Sequence, residues 1–150
     1  MLTNLTVSLD DAKVAASAAL AATTQRDRPV AVAVTNETGD VAYLVRQDGA
    51  SPVDVRNAER KAYTAAFIGR DTSVYRQQLA HDGRTVADWS DDQVTTLLGG
   101  WTLRRQSQVI GGIGVAGSGS EERDERLALA GAEAAAKLSV DAWLQERAAR

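Results

Sequence analysis

The alternation of apolar and polar positions divides the chain into a helix, two strands, one or two helices, two more strands and a last helix. Leu9, Ala12, Ala16, Leu20 and Thr23 recur at helical spacing and form a narrow face of small residues. Ser8 can cap this helix, with Asp11 three residues on and acidic charge in the first turn, and its end is expected near Thr24–Arg26. After Pro29, Val30–Thr35 is an unbroken β-branched and alanine run, the pattern of a strand buried on both faces. Asn36-Glu37-Thr38-Gly39-Asp40 carries turn chemistry, so Val41–Gln47 reads as the returning strand of an antiparallel hairpin.

Ser51-Pro52 opens the second helix with a cap and a proline at the first helical position. Val55, Ala58, Ala62, Ala65 and Ala66 mark its buried side, and Gly69 is its stop. Asp71-Thr72 starts a short third helix through Leu79. Ala80–Leu98 shows little pattern and is expected to be a long irregular connection, a kind of segment that often carries function. Trp101–Arg105 reads as a third strand, turned at Gln106-Ser107 into a fourth. From about Glu121 a final helix puts Leu127, Ala130, Ala134 and Leu138 on one face, with Gly131 and Ala135 beside them. Trp143 and Leu144 continue its apolar character, and Arg147–Arg150 suits its negative pole. This order predicts an α+β sandwich, one antiparallel sheet with helices packed on it.

Within Gln108–Gly119 the fourth strand carries Gly111, Gly112, Gly114 and Gly117. Glycine weakens a strand, so four in one run need a reason. One reading is a central strand whose bare backbone forms the floor of a ligand cleft. The other is close packing against small-residue helices. Gly112–Gly117 also fits the dinucleotide pattern G-x-G-x-x-G. That site, however, needs a second parallel strand and an acidic residue about twenty positions on. Here the helix after Glu121 runs to the end of the sequence, with Asp141 inside it.

Composition narrows the function classes. The 150 residues match one ordinary domain, 1–150. A net charge of -3 argues against a nucleic-acid surface. No apolar run approaches the roughly 18–20 residues of a membrane span, and the first thirty residues lack the look of a secretory signal. A cytoplasmic protein without membrane or nucleic-acid partners is the expectation. The absence of cysteine removes disulfides, thiolate metal sites and a cysteine nucleophile.

The candidate chemistry is sparse. His81 stands alone in a polar stretch and reads as an exposed loop residue rather than a ligand. Glu122-x-x-Glu125 can present two carboxylates on one helical face, but acidic charge at a helix start is favoured by the dipole anyway, and no metal site is expected. If that helix points into a cleft, Asp124 or Glu125 is the best general base in the chain. Arg46, Asp48 and Lys61 fall near predicted pocket edges, where an Arg/Lys pair would suit a carboxylate. Trp101, after Gly99-Gly100, either flanks the cleft or packs in the core.

Several blocks can be read together: Val30–Val34, Arg46-Gln47-Asp48-Gly49-Ala50, Lys61-Ala62-Tyr63-Thr64-Ala65-Ala66, Gly69-Arg70-Asp71-Thr72, Gly99-Gly100-Trp101-Thr102-Leu103, Val109–Gly117, and Asp124-Glu125 with Ala130-Gly131. In this order the chain resembles the GlcG/HbpS family of haem-binding proteins, also found as the C-terminal domain of PduO-type proteins, over roughly Leu9 to Leu138. The resemblance implies a profilin-like sandwich that assembles into homo-oligomers, from dimers to octamers. It also implies a small-molecule ligand, haem or a related tetrapyrrole. The candidate ligand-binding residues are then Arg46, Asp48, Lys61, Gly100, Trp101, Gly112 and Gly114, with Arg46 and Lys61 pairing the propionates.

Three positions depart from the family pattern. Ser8–Arg26 holds no histidine where haem-holding members place one, Gln47 replaces a methionine, and Thr102 stands where a proline is usual. Loss of the imidazole removes the strongest protein lever on haem iron. The alternative function is therefore a cofactor-independent isomerase, cyclase or lyase acting on a small acidic or planar metabolite. In that reading Asp124 or Glu125 moves the proton.

Overall fold

The computed structural model describes residues 5–149; the side chains of 139–144, 146 and 147 lie outside the described set, and so do the expectations for Trp143, Leu144 and the basic terminus at Arg147 and Arg150. The elements are α1 (Leu9–Ala21), β1 (Ala31–Asn36), β2 (Val41–Arg46), α2 (Pro52–Ile68), α3 (Thr72–Asp82), a 3₁₀ turn (Val86–Trp89), β3 (Gly100–Arg105), β4 (Gln108–Ala116) and α4 (Glu121–Ala148). The strands form one antiparallel sheet in the order β2-β1-β4-β3. The expected α+β sandwich is what the chain builds.

Local chemistry sets most boundaries. Ser8 caps α1 by accepting from the Asp11 amide. Ser51 and Asp54 form a capping box at α2, which ends on Gly69 in the left-handed region. Two boundaries differ from the sequence reading. The first helix stops at Ala21 instead of near Thr24–Arg26, because the Asp27 carboxylate accepts from the Thr24 amide and hydroxyl and folds that segment into a turn. The third helix runs past Leu79 to Asp82, so exposed His81 lies in its last turn and not in a loop, and the irregular connection is correspondingly shorter.

The two faces of the sheet are packed differently. On one, Val30, Val32, Val34, Leu103, Ile113 and Val115 meet the alanine face of α1 and Leu127, Ala128 and Ala132 of α4, making the main core. The other face carries Ala31, Ala33 and Ala116 beside Gly112 and Gly114, and α2 lies directly on it through Ala58 and Ala62. A Cβ at Gly112 would overlap the Ala62 carbonyl oxygen, and one at Gly114 the Ala58 carbonyl oxygen. Gly100, paired with Gly114 across β3–β4, sits under the Lys61 carbonyl in the same way. Of the two explanations for the glycine-rich strand, close packing is correct at Gly112 and Gly114, so these do not floor a cleft, and Gly100, expected as a ligand contact, is covered in the same way. Backbone meets backbone, with no room for a guest between.

The sheet edges also differ. Along β3, the Asp71 carboxylate accepts from the Thr102 amide and hydroxyl at 2.7 and 2.9 Å, and Thr72 Oγ1 accepts from the Gly100 amide at 3.1 Å. Asp71 is thus engaged by the strand and makes no side-chain cap on α3. A proline at position 102 could not donate that amide hydrogen bond. Gln47 has a similar explanation, since its Oε1 accepts from the Val30 amide at 2.9 Å. At the base of the β1–β2 turn, Gly39 approaches the Tyr63 ring too closely for any side chain.

Gly114→Ala is expected to lose about 3 kcal/mol in urea unfolding, since the added methyl must lift a helix off the sheet. Gly69→Ala, left-handed but facing open space, should lose only about 1–2 kcal/mol. Equal losses at the two sites would mean that α2 does not sit as closely as described.

Candidate functional site

Close seating of α2 has a chemical consequence at its Lys61. The side chain is buried between the sheet and the start of α4, and its Nζ donates to the Val115 carbonyl at 2.8 Å and to Asp124 Oδ2 at 2.9 Å. Both partners of this ion pair are almost fully covered, with side-chain exposures of 3% and 9%. Asp124 Oδ1 in turn accepts from the Ser118 amide at 3.1 Å and from the Ser118 hydroxyl at 2.6 Å. Both carboxylate oxygens thereby accept from named donors, one at Oδ2 and two at Oδ1. Such satisfaction is what a buried charge pair requires, because each ion has lost its water.

Local structure fixes each member. Ser120 caps α4 by accepting from the Arg123 amide, so Asp124 falls at the end of the first turn and points back toward Gly117-Ser118. Gly99 and Gly117 take φ of +116° and +110°, and a Cβ on Gly99 would press on the Val115 carbonyl, Asp124 and Lys61 Nζ. The β4–α4 corner at Gly117 and the entry into β3 at Gly99 can both close over the ion pair because these two residues are glycine.

A cleft of about 530 Å³ opens against this pair, between the first turns of α2 and α4. Asp54, Asn57 and Lys61 line it from α2, Glu121 and Asp124 from α4, and Arg28 from the segment before β1. Most of the charges are already engaged. Asp54 Oδ2 accepts from the Ser51 amide and hydroxyl, and Glu121 pairs with Arg76 at 2.9 Å. The side chains of Arg28 and Asn57 make no hydrogen bond among the described residues, although Arg28 is exposed at the mouth and Asn57 half-buried inside. They are the groups left to meet a guest.

Of the residues singled out from sequence, the structure brings Lys61 and Asp124 together and separates the others. Arg46 is exposed on β2 with its Nε donating to the Ala50 carbonyl, and Asp48 lines an adjoining groove with Thr24 and Asp27 that meets the cleft at Arg28 and Pro29. Trp101 lies on the opposite face of the sheet, half-buried against the main core. Glu125 is half-buried and outside the cleft lining, and Glu122 is exposed. No cluster of three or more metal-ligating side chains occurs among the described residues. Sequence reasoning missed Arg28, Asn57 and Ser118. Arg28 carried one usable signal, a cation beside Pro29 where a connecting segment meets the first strand. Asn57 and Ser118 carried none.

Comparison with known proteins places this geometry in context. A family model described as haem degrading protein HbpS-like matches residues 7–133. Protein GlcG of Escherichia coli is 34% identical over 86 residues, which span 57% of this chain and 63% of GlcG. A crystal structure of HbpS superimposes with a TM-score of 0.79 at 34% identity, covering 89% of this chain and 92% of that one. The PduOC–haem complex gives 0.76 at 27% identity, covering 87% and 95%. No helix among the described residues is long and apolar enough to cross a membrane.

Lys61→Met should cost about 3–5 kcal/mol of stability, because it strands a buried carboxylate. The double variant Lys61→Met/Asp124→Leu should recover most of that loss. Denaturant melts of the two read this directly, and a double variant no more stable than the single one would contradict the ion-pair account.

Proposed function

The chain belongs to the HbpS-like family of haem degrading proteins, and we propose that it binds a carboxylate-bearing tetrapyrrole in the cleft beside Lys61, held by its acidic side arms and not by an axial ligand to iron. The single observation that carries the reading is the pair Arg28 and Asn57, polar groups without partners at the mouth and wall of a cleft whose other charges are engaged. A guanidinium is suited to a carboxylate through paired N–H donors. The first turns of α2 and α4 add the positive ends of two helices, although Asp54 and Glu121 already offset part of that field.

The iron of haem does not fit this lining. Haem iron is held by histidine, cysteine, methionine or tyrosine, and none of these lines the cleft. His81 is exposed on α3, outside that lining. Lys61 is a nitrogen donor, but it is committed to Asp124 and Val115. The organic part of the guest fits, and its metal finds no partner among the lining residues. The cofactor-independent enzyme is the weaker reading. Both oxygens of Asp124 are occupied, and Glu125 does not reach the cleft, so neither is placed to take a substrate proton.

The test is a parallel titration of the purified chain with hemin and with metal-free protoporphyrin IX, followed by absorption and tryptophan fluorescence. The two should bind with affinities within about threefold of each other, and Arg28→Ala should weaken both about tenfold, the loss of one charge-assisted pair. Hemin binding far tighter than protoporphyrin would reveal an axial ligand and overturn the proposal. A bound hemin spectrum that decays with time in air would instead show degradation, and binding alone would no longer describe the protein.

A further inference from the structure

We propose that the corner between α2, α3 and the 3₁₀ turn is a second binding site, for a small aromatic carboxylate, with Tyr75 as its inner polar anchor and Arg70 and Arg84 at its rim. A cavity of about 340 Å³ lies there, separate from the Lys61 cleft and sharing no residue with it. Phe67 and Trp89 supply aromatic walls, and both are about half exposed, at 51% and 50%, on a surface where such groups usually seek cover. Arg70, Arg84 and Asp82 complete the polar rim.

The independent observation is Tyr75. Tyr75 is only 3% exposed, and its hydroxyl makes no well-formed hydrogen bond; the Trp89 indole N–H beside it can only donate, which leaves the hydroxyl proton without an acceptor. A buried hydroxyl without an acceptor is costly, so one left in a cavity wall marks a place where a guest can supply the missing contact. Burial raises the Tyr75 pKa above its ordinary value, with the Trp89 indole lowering it and Asp88 raising it further. The hydroxyl is therefore protonated at neutral pH and able to donate. Tyr75 and Trp89 both line the cavity.

The chemistry selects the guest. A single aromatic ring suits the space and can stack on Trp89 or Phe67. A ring substituent with a lone pair can accept from Tyr75. A carboxylate at the other end suits Arg70 and Arg84, both exposed and without a side-chain hydrogen bond among the described residues. Asp82 opposes a second negative charge, which favours a monocarboxylate over a dicarboxylate. Its own neighbour His81, at 3.1 Å, already engages it on the solvent side.

The probe is 4-hydroxybenzoate, titrated into the full chain while the tryptophan indole N–H resonances are followed by ¹⁵N–¹H NMR, with Trp89→Phe assigning the Trp89 signal. A saturable shift of that signal is expected, with a dissociation constant of about 1 mM or tighter for a ligand of this size. Tyr75→Phe, which keeps the ring and its packing, should weaken binding about fivefold, and Arg84→Gln, a change at an exposed side chain, about tenfold. Benzamide, with the ring but no charge, should bind at least tenfold more weakly than the acid. A shift that does not saturate, or one unchanged in both variants, overturns the proposal. Displacement of the acid by protoporphyrin would also overturn it, by placing both ligands in one site.

Discussion

The closeness of α2 to the sheet is the constraint on which the rest depends. Helix and sheet normally keep their backbones apart by the thickness of two side-chain layers. Here Ala58 and Ala62 lie against Gly114 and Gly112, so backbone oxygens occupy space where a Cβ would otherwise stand. The contact is thin on this side and thick on the other, where valine, leucine and isoleucine fill the gap to α1 and α4. Dropping the helix onto the strand carries Lys61 with it, below the surface and within reach of the Val115 carbonyl and Asp124. A lysine one layer further out would have reached solvent with its ammonium, as long basic side chains usually do. The ion pair is thus a product of the glycines, and the cleft is what remains open beside it.

Much of the fold was legible in the sequence because it rests on local chemistry. Ser8 and Ser51 caps, Pro52, Gly69 and the period-two runs mark boundaries that short-range physics decides. The misread end of α1 has a local cause, the turn that Asp27 closes onto Thr24, and the long-range bonds of Asp71 and Gln47 were equally invisible, because no periodicity reports where a carboxylate or an amide will find its donor. The same limit applied to the glycines. Gly112 and Gly114 announced that something approaches the backbone, but a helix and a ligand leave the same mark in a one-dimensional pattern. Only Ala58 and Ala62, a matching small-residue face on the preceding helix, favoured the helix, and that match is visible only when the register is known.

The site was half legible for a related reason. Lys61 and Asp124 stood out as charged residues among alanines and at an acidic helix start, yet their pairing spans 63 positions and depends on the glycines under α2, on Gly99 and Gly117, and on the Ser120 cap. Arg46 and Trp101 looked equally suitable and turn out to serve the β1–β2 edge and the opposite core. The departures from the family pattern acquire physical meaning in this light. Thr102 and Gln47 replace residues that could not make the bonds they make. The histidine-free first helix, by contrast, packs its alanines into the main core and contributes no residue to the cleft.

The central claim is that Lys61 is held as a buried, hydrogen-bonded ammonium by Asp124. The sequence contains only three lysines, Lys13, Lys61 and Lys137, so ¹⁵N–¹H correlation of the lysine ammonium groups near neutral pH tests it with little ambiguity. One ammonium signal should be protected from exchange, vanish in Lys61→Met and lose its protection in Asp124→Asn. A spectrum with no protected ammonium, or one whose protected signal ignores the change at Asp124, would contradict the account.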